Sequence, residues 1–303
     1  MKKKPHIWAV GGGKGGVGKS LVSILLAMEL ARRNEKTVLV DADLGGANLH
    51  TLMGIKSPGR TLNDFITRKY NNIREICIQT EVENLQLICG ASEVLTMANP
   101  LYAQKNKITH SLINLPVDHV VLDLGAGTSY NVLDFFLIAQ KAIVVLTPQP
   151  ISIQNAYAFV RNAIYRRLSR MVSQKPSLLE LIKTAMNPKN ESKMRTIRDL
   201  FESVRKSHGK KMAESIRTAI GQLQPLLITN MSRDDRDANA GKIVQLVAEK
   251  YLTIEAVEAG AIAYDPDMEK KISQMVSLAE LAPNCPARIS MTQIVNNLLG
   301  TPH

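Results

Sequence analysis

Gly13-Lys14-Gly15-Gly16-Val17-Gly18-Lys19-Ser20 is the stretch on which the fold turns. It matches G-x-x-x-x-G-K-[ST] in full, a pattern that carries meaning only where a strand precedes it and a helix follows. Both are predicted here. Ile7-Trp8-Ala9-Val10 is a short apolar run entering the glycines, and Leu21 to Arg33 has helical composition without Pro or Gly. Glycines let successive backbone N–H groups turn inward around phosphate oxygens, and the helix N-terminus adds partial positive charge. In such a loop Lys19 reaches the terminal phosphates and the Ser20 hydroxyl ligates Mg²⁺. Lys14 is an extra lysine near the start of the loop, one that either stays solvated or reaches a phosphate held by another subunit.

Outward from the loop, strands and helices alternate. Thr37-Val38-Leu39-Val40 is a buried strand stopped by Asp41, and Leu85 to Ile88 is another. Helix is predicted over Ala103 to Asn114, then strand from His119 to Leu122, stopped by Asp123. Asn131 to Gln140 reads as helix, Ala142 to Leu146 as strand, and Gln154 to Arg167 as helix. Leu226 to Thr229 is a strand, and a helix runs from about Ala238 to Lys250. Val257 to Ala263 is a weaker strand, and Asp267 to Met275 a helix. This βαβ alternation predicts an α/β fold with a mostly parallel sheet covered by helices on both faces. Asp41 and Asp123, both at strand ends, then belong at the carboxyl edge beside the phosphate loop.

The 303 residues allow one large domain or two smaller ones. The organisation expected is a phosphate-loop core over 1–167, a basic helical insert over 168–224, and a second part of the core with the tail over 225–303. In the insert, Leu178, Leu179, Leu181 and Ile182, then Ile197, Leu200, Phe201 and Val204, recur at helical spacing, with Pro176, Pro188 and Gly209 as punctuation. Charge is concentrated there. The chain carries 38 basic and 27 acidic residues, and 15 of the basic but only 5 of the acidic ones fall within 161–224. That segment reads either as a solvated basic helical insert or as the contact for an acidic partner: an acidic protein, DNA or an anionic membrane face. Cys77, Cys89 and Cys285 form no metal-binding or redox spacing. No apolar run is long enough for a membrane span, and the run after Lys2-Lys3-Lys4 is too short for a signal peptide. A cytoplasmic protein is expected.

Three further blocks join the loop in a resemblance. They are Val40-Asp41-Ala42-Asp43-Leu44-Gly45-Gly46-Ala47-Asn48, Leu122-Asp123-Leu124-Gly125-Ala126-Gly127, and Thr147-Pro148-Gln149-Pro150-Ile151-Ser152-Ile153-Gln154-Asn155-Ala156-Tyr157. With the loop they resemble the MinD/ParA family of dimerising ATPases, P-loop NTPases of the SIMIBI type. The likeness is greatest to the FlhG (FleN, YlxH) branch, which sets flagellar number and placement. The resemblance implies ATP and Mg²⁺ as cofactors, slow partner-stimulated hydrolysis, and a homodimer formed on ATP.

It also implies roles by position. Lys14 resembles the signature lysine that crosses the dimer interface. Asp43 resembles the catalytic carboxylate, with Asn48 helping to orient the attacking water. Ser20, Asp41 and Asp123 make up the Mg²⁺ shell. Gly13, Lys14, Gly15, Gly16, Val17, Gly18, Lys19, Ser20 and Leu21 surround the nucleotide, with Gly127 near the γ-phosphate and Asn230 reading adenine. The alternative carried beside this is ATP-dependent DNA partitioning of the ParA type, with the basic insert on DNA. Family members commonly end in a basic amphipathic membrane helix. Here Ile289, Ile294, Val295, Leu298 and Leu299 line a face with Arg288 alone as a cation, which gives weak support for peripheral membrane association.

Overall fold

Successive side chains of the first strand alternate between two apolar cores. Ile7 and Ala9 enter one, Trp8 and Val10 the other, and all four are fully buried. A strand apolar on both sides must lie inside a sheet covered on both faces. The structure is a computed structural model that describes residues 4–90, 102–186 and 196–300. Lys2, Lys3 and Pro188 lie outside the described residues.

The strands are β1 (His6–Gly11), β2 (Thr37–Ala42), β3 (Ile78–Gln79), β4 (Leu85–Ile88), β5 (His119–Leu124), β6 (Lys141–Leu146), β7 (Leu226–Ser232) and β8 (Val257–Ala263). They form one sheet in the order β3-β4-β2-β5-β1-β6-β7-β8. Only the β3–β4 pair is antiparallel. The helices are α1 (Lys19–Arg32), α2 (Leu49–Leu52), α3 (Leu62–Ile66), α4 (Tyr102–Ile113), α5 (Tyr130–Phe136), α6 (Pro150–Met171) and α7 (Pro176–Met186). They continue with α8 (Ile197–His208), α9 (Lys210–Gly221), α10 (Asp235–Ala238), α11 (Ala240–Leu252), α12 (Pro266–Ser273) and α13 (Pro286–Leu299). Side chains of α1 and α13 fill the core with Trp8 and Val10, and those of α5, α6 and α11 the core with Ile7 and Ala9.

The structure refines several expectations. β2 and β5 do not stop at their aspartates but run on, so that Asp41 pairs with Asp123 and Ala42 with Leu124. The parallel ladder uses only backbone groups, and the carboxylates ride within it. α6 starts at Pro150, earlier than expected, because proline at the first helical position lacks only an N–H that would be unpaired anyway. α3 was not foreseen, although its capping box, Thr61 with Asp64, is written in the sequence.

The helices of the basic segment join the core directly. Leu178, Ile182, Ile197, Leu200, Phe201 and Val204 are buried in the same cluster as α6, and α9 packs on α6 while α8 packs on α11. Ile294 and Val295 of α13 are buried with Met291 against α1 and β8, leaving Ile289 and Leu299 exposed. Most of the apolar face that a membrane could have used is already committed to the core. Among the described residues no helix is long and apolar enough to cross a membrane.

Candidate nucleotide-binding site

β1 lies between β5 and β6, where the crossovers reverse direction across the sheet. A ligand crevice opens at such a point, outside the carboxyl ends of the strands. Val10 is level with Asp123, and Asp123 with Asp41. The phosphate loop therefore leaves the sheet beside both carboxylates.

Two glycines of the loop are fixed by close approaches. A Cβ on Gly13 would lie 2.2 Å from the backbone carbonyl oxygen of Asn155 in α6. Gly18 caps α1 at φ 86°, and a Cβ there would lie 2.1 Å from Asn230 Nδ2. That same nitrogen donates to the Val17 carbonyl at 3.0 Å. Asn230, buried in β7, thus braces the loop, while its Oδ1 is buried with no partner among the described residues. α1 begins without a side-chain cap or an acidic residue in its first turn. Its free N–H groups and its dipole are left for an anion.

Lys19, the first residue of α1, is buried, and its Nζ donates to the Lys14 carbonyl at 3.4 Å. Burial lowers its pKa, while Asp123 and Asp43 act in the opposite sense. One turn on, the Ser23 hydroxyl donates to Asp123 Oδ1 at 2.9 Å. Burial pushes Asp123 up to about 6 against hydrogen bonds from Ser20 and Ser23 and the charge of Lys19. Asp41 accepts from the backbone N–H groups of Asp43 and Leu49 at 3.2 and 3.0 Å. Burial, with repulsion from Asp123, pushes it up to about 7.

Asp43 joins the loops that follow β2 and β5. A Cβ on Gly125 would lie 2.9 Å from Asp43 Oδ1, which also accepts from the Gly45 N–H at 3.3 Å. Gly127 follows in the second loop. Asn48 is exposed and closes its own loop, donating from Nδ2 to the Gly46 carbonyl at 2.7 Å. Lys14, Gly15 and Gly16 are exposed at the rim. The side chains of Val17 and Leu21 point into the core under α1.

The fold thus brings Lys19, Ser20, Asp41, Asp43, Asp123 and the glycine loop together, with Asn230 behind the loop. Ser23 and Asn155 were not foreseen as site residues. Ser23 carries a weak signal, one helical turn beyond Lys19. Asn155 carries none, because it acts through its backbone.

Among the described residues no three of His, Cys, Asp or Glu cluster as a self-sufficient metal site. A cation here would rest on the Ser20 hydroxyl beside two carboxylates, with water and phosphate oxygens completing its shell. That donor set suits Mg²⁺. The thiols of Cys77 and Cys89 are pushed up by burial, to about 11 and about 12, so neither offers a thiolate at neutral pH.

A family model described as ParA, NUBPL iron-transfer P-loop NTPase, matches residues 3–255. The antiactivator FleN of Pseudomonas aeruginosa is 34% identical over 158 residues, 52% of this chain and 55% of that protein. The flagellum site-determining protein YlxH of Helicobacter pylori is 32% identical over 155 residues, 50% of this chain and 52% of its own. The chain therefore spans about half the length of each. The septum site-determining protein MinD of Escherichia coli is 26% identical over 254 residues, 82% of this chain and 91% of that protein. Among solved structures, MinD of Pyrococcus horikoshii complexed with Mg-ADP superposes with a TM-score of 0.65 at 19% identity, over 97% of this chain and 96% of that one. That likeness is one of fold.

Proposed function

Because this chain belongs to the ParA family of P-loop NTPases, we propose that it is an ATPase that dimerises on ATP and acts as a positioning or number regulator in flagellar biosynthesis. The sequence likeness to FleN and YlxH supports the flagellar part. The observation that carries the ATPase part is the glycine loop leaving β1 level with the paired Asp123 and Asp41, with Lys19 as the first residue of α1.

Phosphoryl transfer needs positioning and charge neutralisation more than covalent chemistry. The loop backbone and Lys19 would hold the terminal phosphates. Ser20, with Asp41 and Asp123 behind it, would hold Mg²⁺, which supplies charge neutralisation when bound. Asp43, which accepts from the Gly45 N–H and lies over Gly125, would orient a water, with Asn48 assisting once released from Gly46. The unpaired Asn230 Oδ1 is an acceptor that the amino group of adenine would satisfy. Lys14, exposed on the rim, would reach the nucleotide of a second copy.

Sedimentation of the Asp43→Ala form tests this. With ATP and Mg²⁺ it should bind nucleotide, fail to cleave it and form a dimer. Lys14→Ala should abolish the dimer, and Lys19→Ala should lose nucleotide binding. A dimer that persists without nucleotide and without Lys14 would overturn the switch. DNA partitioning, the second reading, rests on the basic helices α8 and α9, and the duplex measurement described below separates it. Peripheral membrane association through α13 would require Ile294 and Val295 to leave the core.

A further inference from the structure

The turn between α8 and α9 breaks a rule of helix electrostatics. α8 ends in Arg205, Lys206 and His208, which suits the negative pole of a helix. After Gly209, α9 opens with Lys210 and Lys211, has no acidic residue in its first turn and has no side-chain cap. Cations there sit against the positive pole, where an acidic residue would stabilise. Among the described residues, Arg198, Arg205, Lys206, Lys210 and Lys211 have no ion-pair partner, and all five are exposed. The fold itself gains nothing from this arrangement. A local rule broken without internal compensation marks a functional surface.

A cleft of about 330 Å³ lies between the same helices. Arg198, Arg205, Lys210 and Arg217 line it, and the largely buried Phe201 shows only an edge there, with Arg217 over its ring at 5.5 Å. Glu202 and Glu214 lie on the same walls, Glu214 in an ion pair with Arg217 at 3.9 Å. A polyphosphate backbone would meet these two carboxylates as repulsion. A peptide meets them through backbone N–H groups, while its own carboxylates take the arginines. We propose that the α8–α9 cleft docks an acidic peptide segment of a partner protein, anchored by one apolar side chain against Phe201. The proposal does not depend on the ATPase reading, since the cleft is built on α8 and α9 and not on the phosphate loop.

Selection of random short peptides displayed on phage against the full chain tests it. The enriched peptides should be rich in Asp and Glu around a single aromatic or aliphatic residue. Their synthetic forms should lose about tenfold or more in affinity against Arg205→Glu/Lys210→Glu. Both positions are exposed, so this variant should fold normally by circular dichroism. Arg60→Glu/Arg74→Glu, two exposed arginines placed elsewhere, should leave affinity unchanged. Enrichment of neutral or basic peptides, or none, would overturn the proposal. So would equal loss with the control variant, or tighter binding of duplex DNA than of the best peptide at physiological salt.

Discussion

Asp41 and Asp123 stand directly opposite each other on adjacent parallel strands, at the carboxyl edge of the sheet and beside the phosphate loop. Burial holds both above the usual carboxylate range, and the charge of Asp123 adds to the effect on Asp41. A protein without its nucleotide keeps this arrangement at a cost in stability, as functional sites commonly do.

Asp123→Asn should therefore stabilise the nucleotide-free protein at pH 8, by about 1–3 kcal/mol on the scale of 1.36 kcal/mol per pKa unit. The folded-state values, about 7 for Asp41 and about 6 for Asp123, lie above the ordinary carboxylate value of 3.8. Their contribution is thus fully present below about pH 4 and is lost as pH rises through about 7. Urea denaturation should show the advantage of Asp123→Asn growing across that window. A variant less stable than wild type at pH 8 would contradict the account.

Asn230→Ala should act twice. It leaves the buried Val17 carbonyl without its donor, which costs about 1–3 kcal/mol. It also removes the unpaired Oδ1, so competition binding should show ATP affinity falling further than GTP affinity. Equal losses for the two nucleotides would leave Asn230 as a brace alone.

Gly13→Ala should destabilise by about 1–3 kcal/mol, because the new Cβ meets the backbone of Asn155 and not a flexible side chain. Nucleotide binding, read by equilibrium dialysis, should be lost with it. Unchanged thermal stability and binding would mean that the contact between the loop and α6 is slack.

His119 predicts a pH effect of opposite sign. Its Nδ1 accepts from the Trp8 indole at 3.1 Å, and Nε2 bonds Glu35. Burial lowers its pKa below 6.5, partly opposed by Glu35. The group therefore supports folding fully above about pH 6.5, and that support is lost as pH falls. A second proton would have to enter at Nδ1 and break the indole bond. Trp8 is the single tryptophan of the chain, so its fluorescence should change between pH 6.5 and 5. The change should be absent in His119→Gln. An identical pH profile in both proteins would rule His119 out.

Local signals carried much of this molecule. The glycines of residues 13–18, the apolar runs of β1, β2 and β5, and the composition of α1 all act through neighbours in sequence. Backbone φ, side-chain alternation and helix propensity therefore expose them to direct reading. β4 and β8 coincide with their expected limits, Leu85–Ile88 and Val257–Ala263. Tertiary structure alone decided the rest. The pairing of Asp41 with Asp123 is a matter of sheet register, and the bond from Asn230 to Val17 spans 213 residues. Gly13 meets Asn155 only because α6 returns over the loop. α13 shows the same limit. Its sequence gives an apolar face, but only its packing on α1 and β8 determines that the face meets protein, because apolar surface is non-directional and takes whichever partner the chain brings to it.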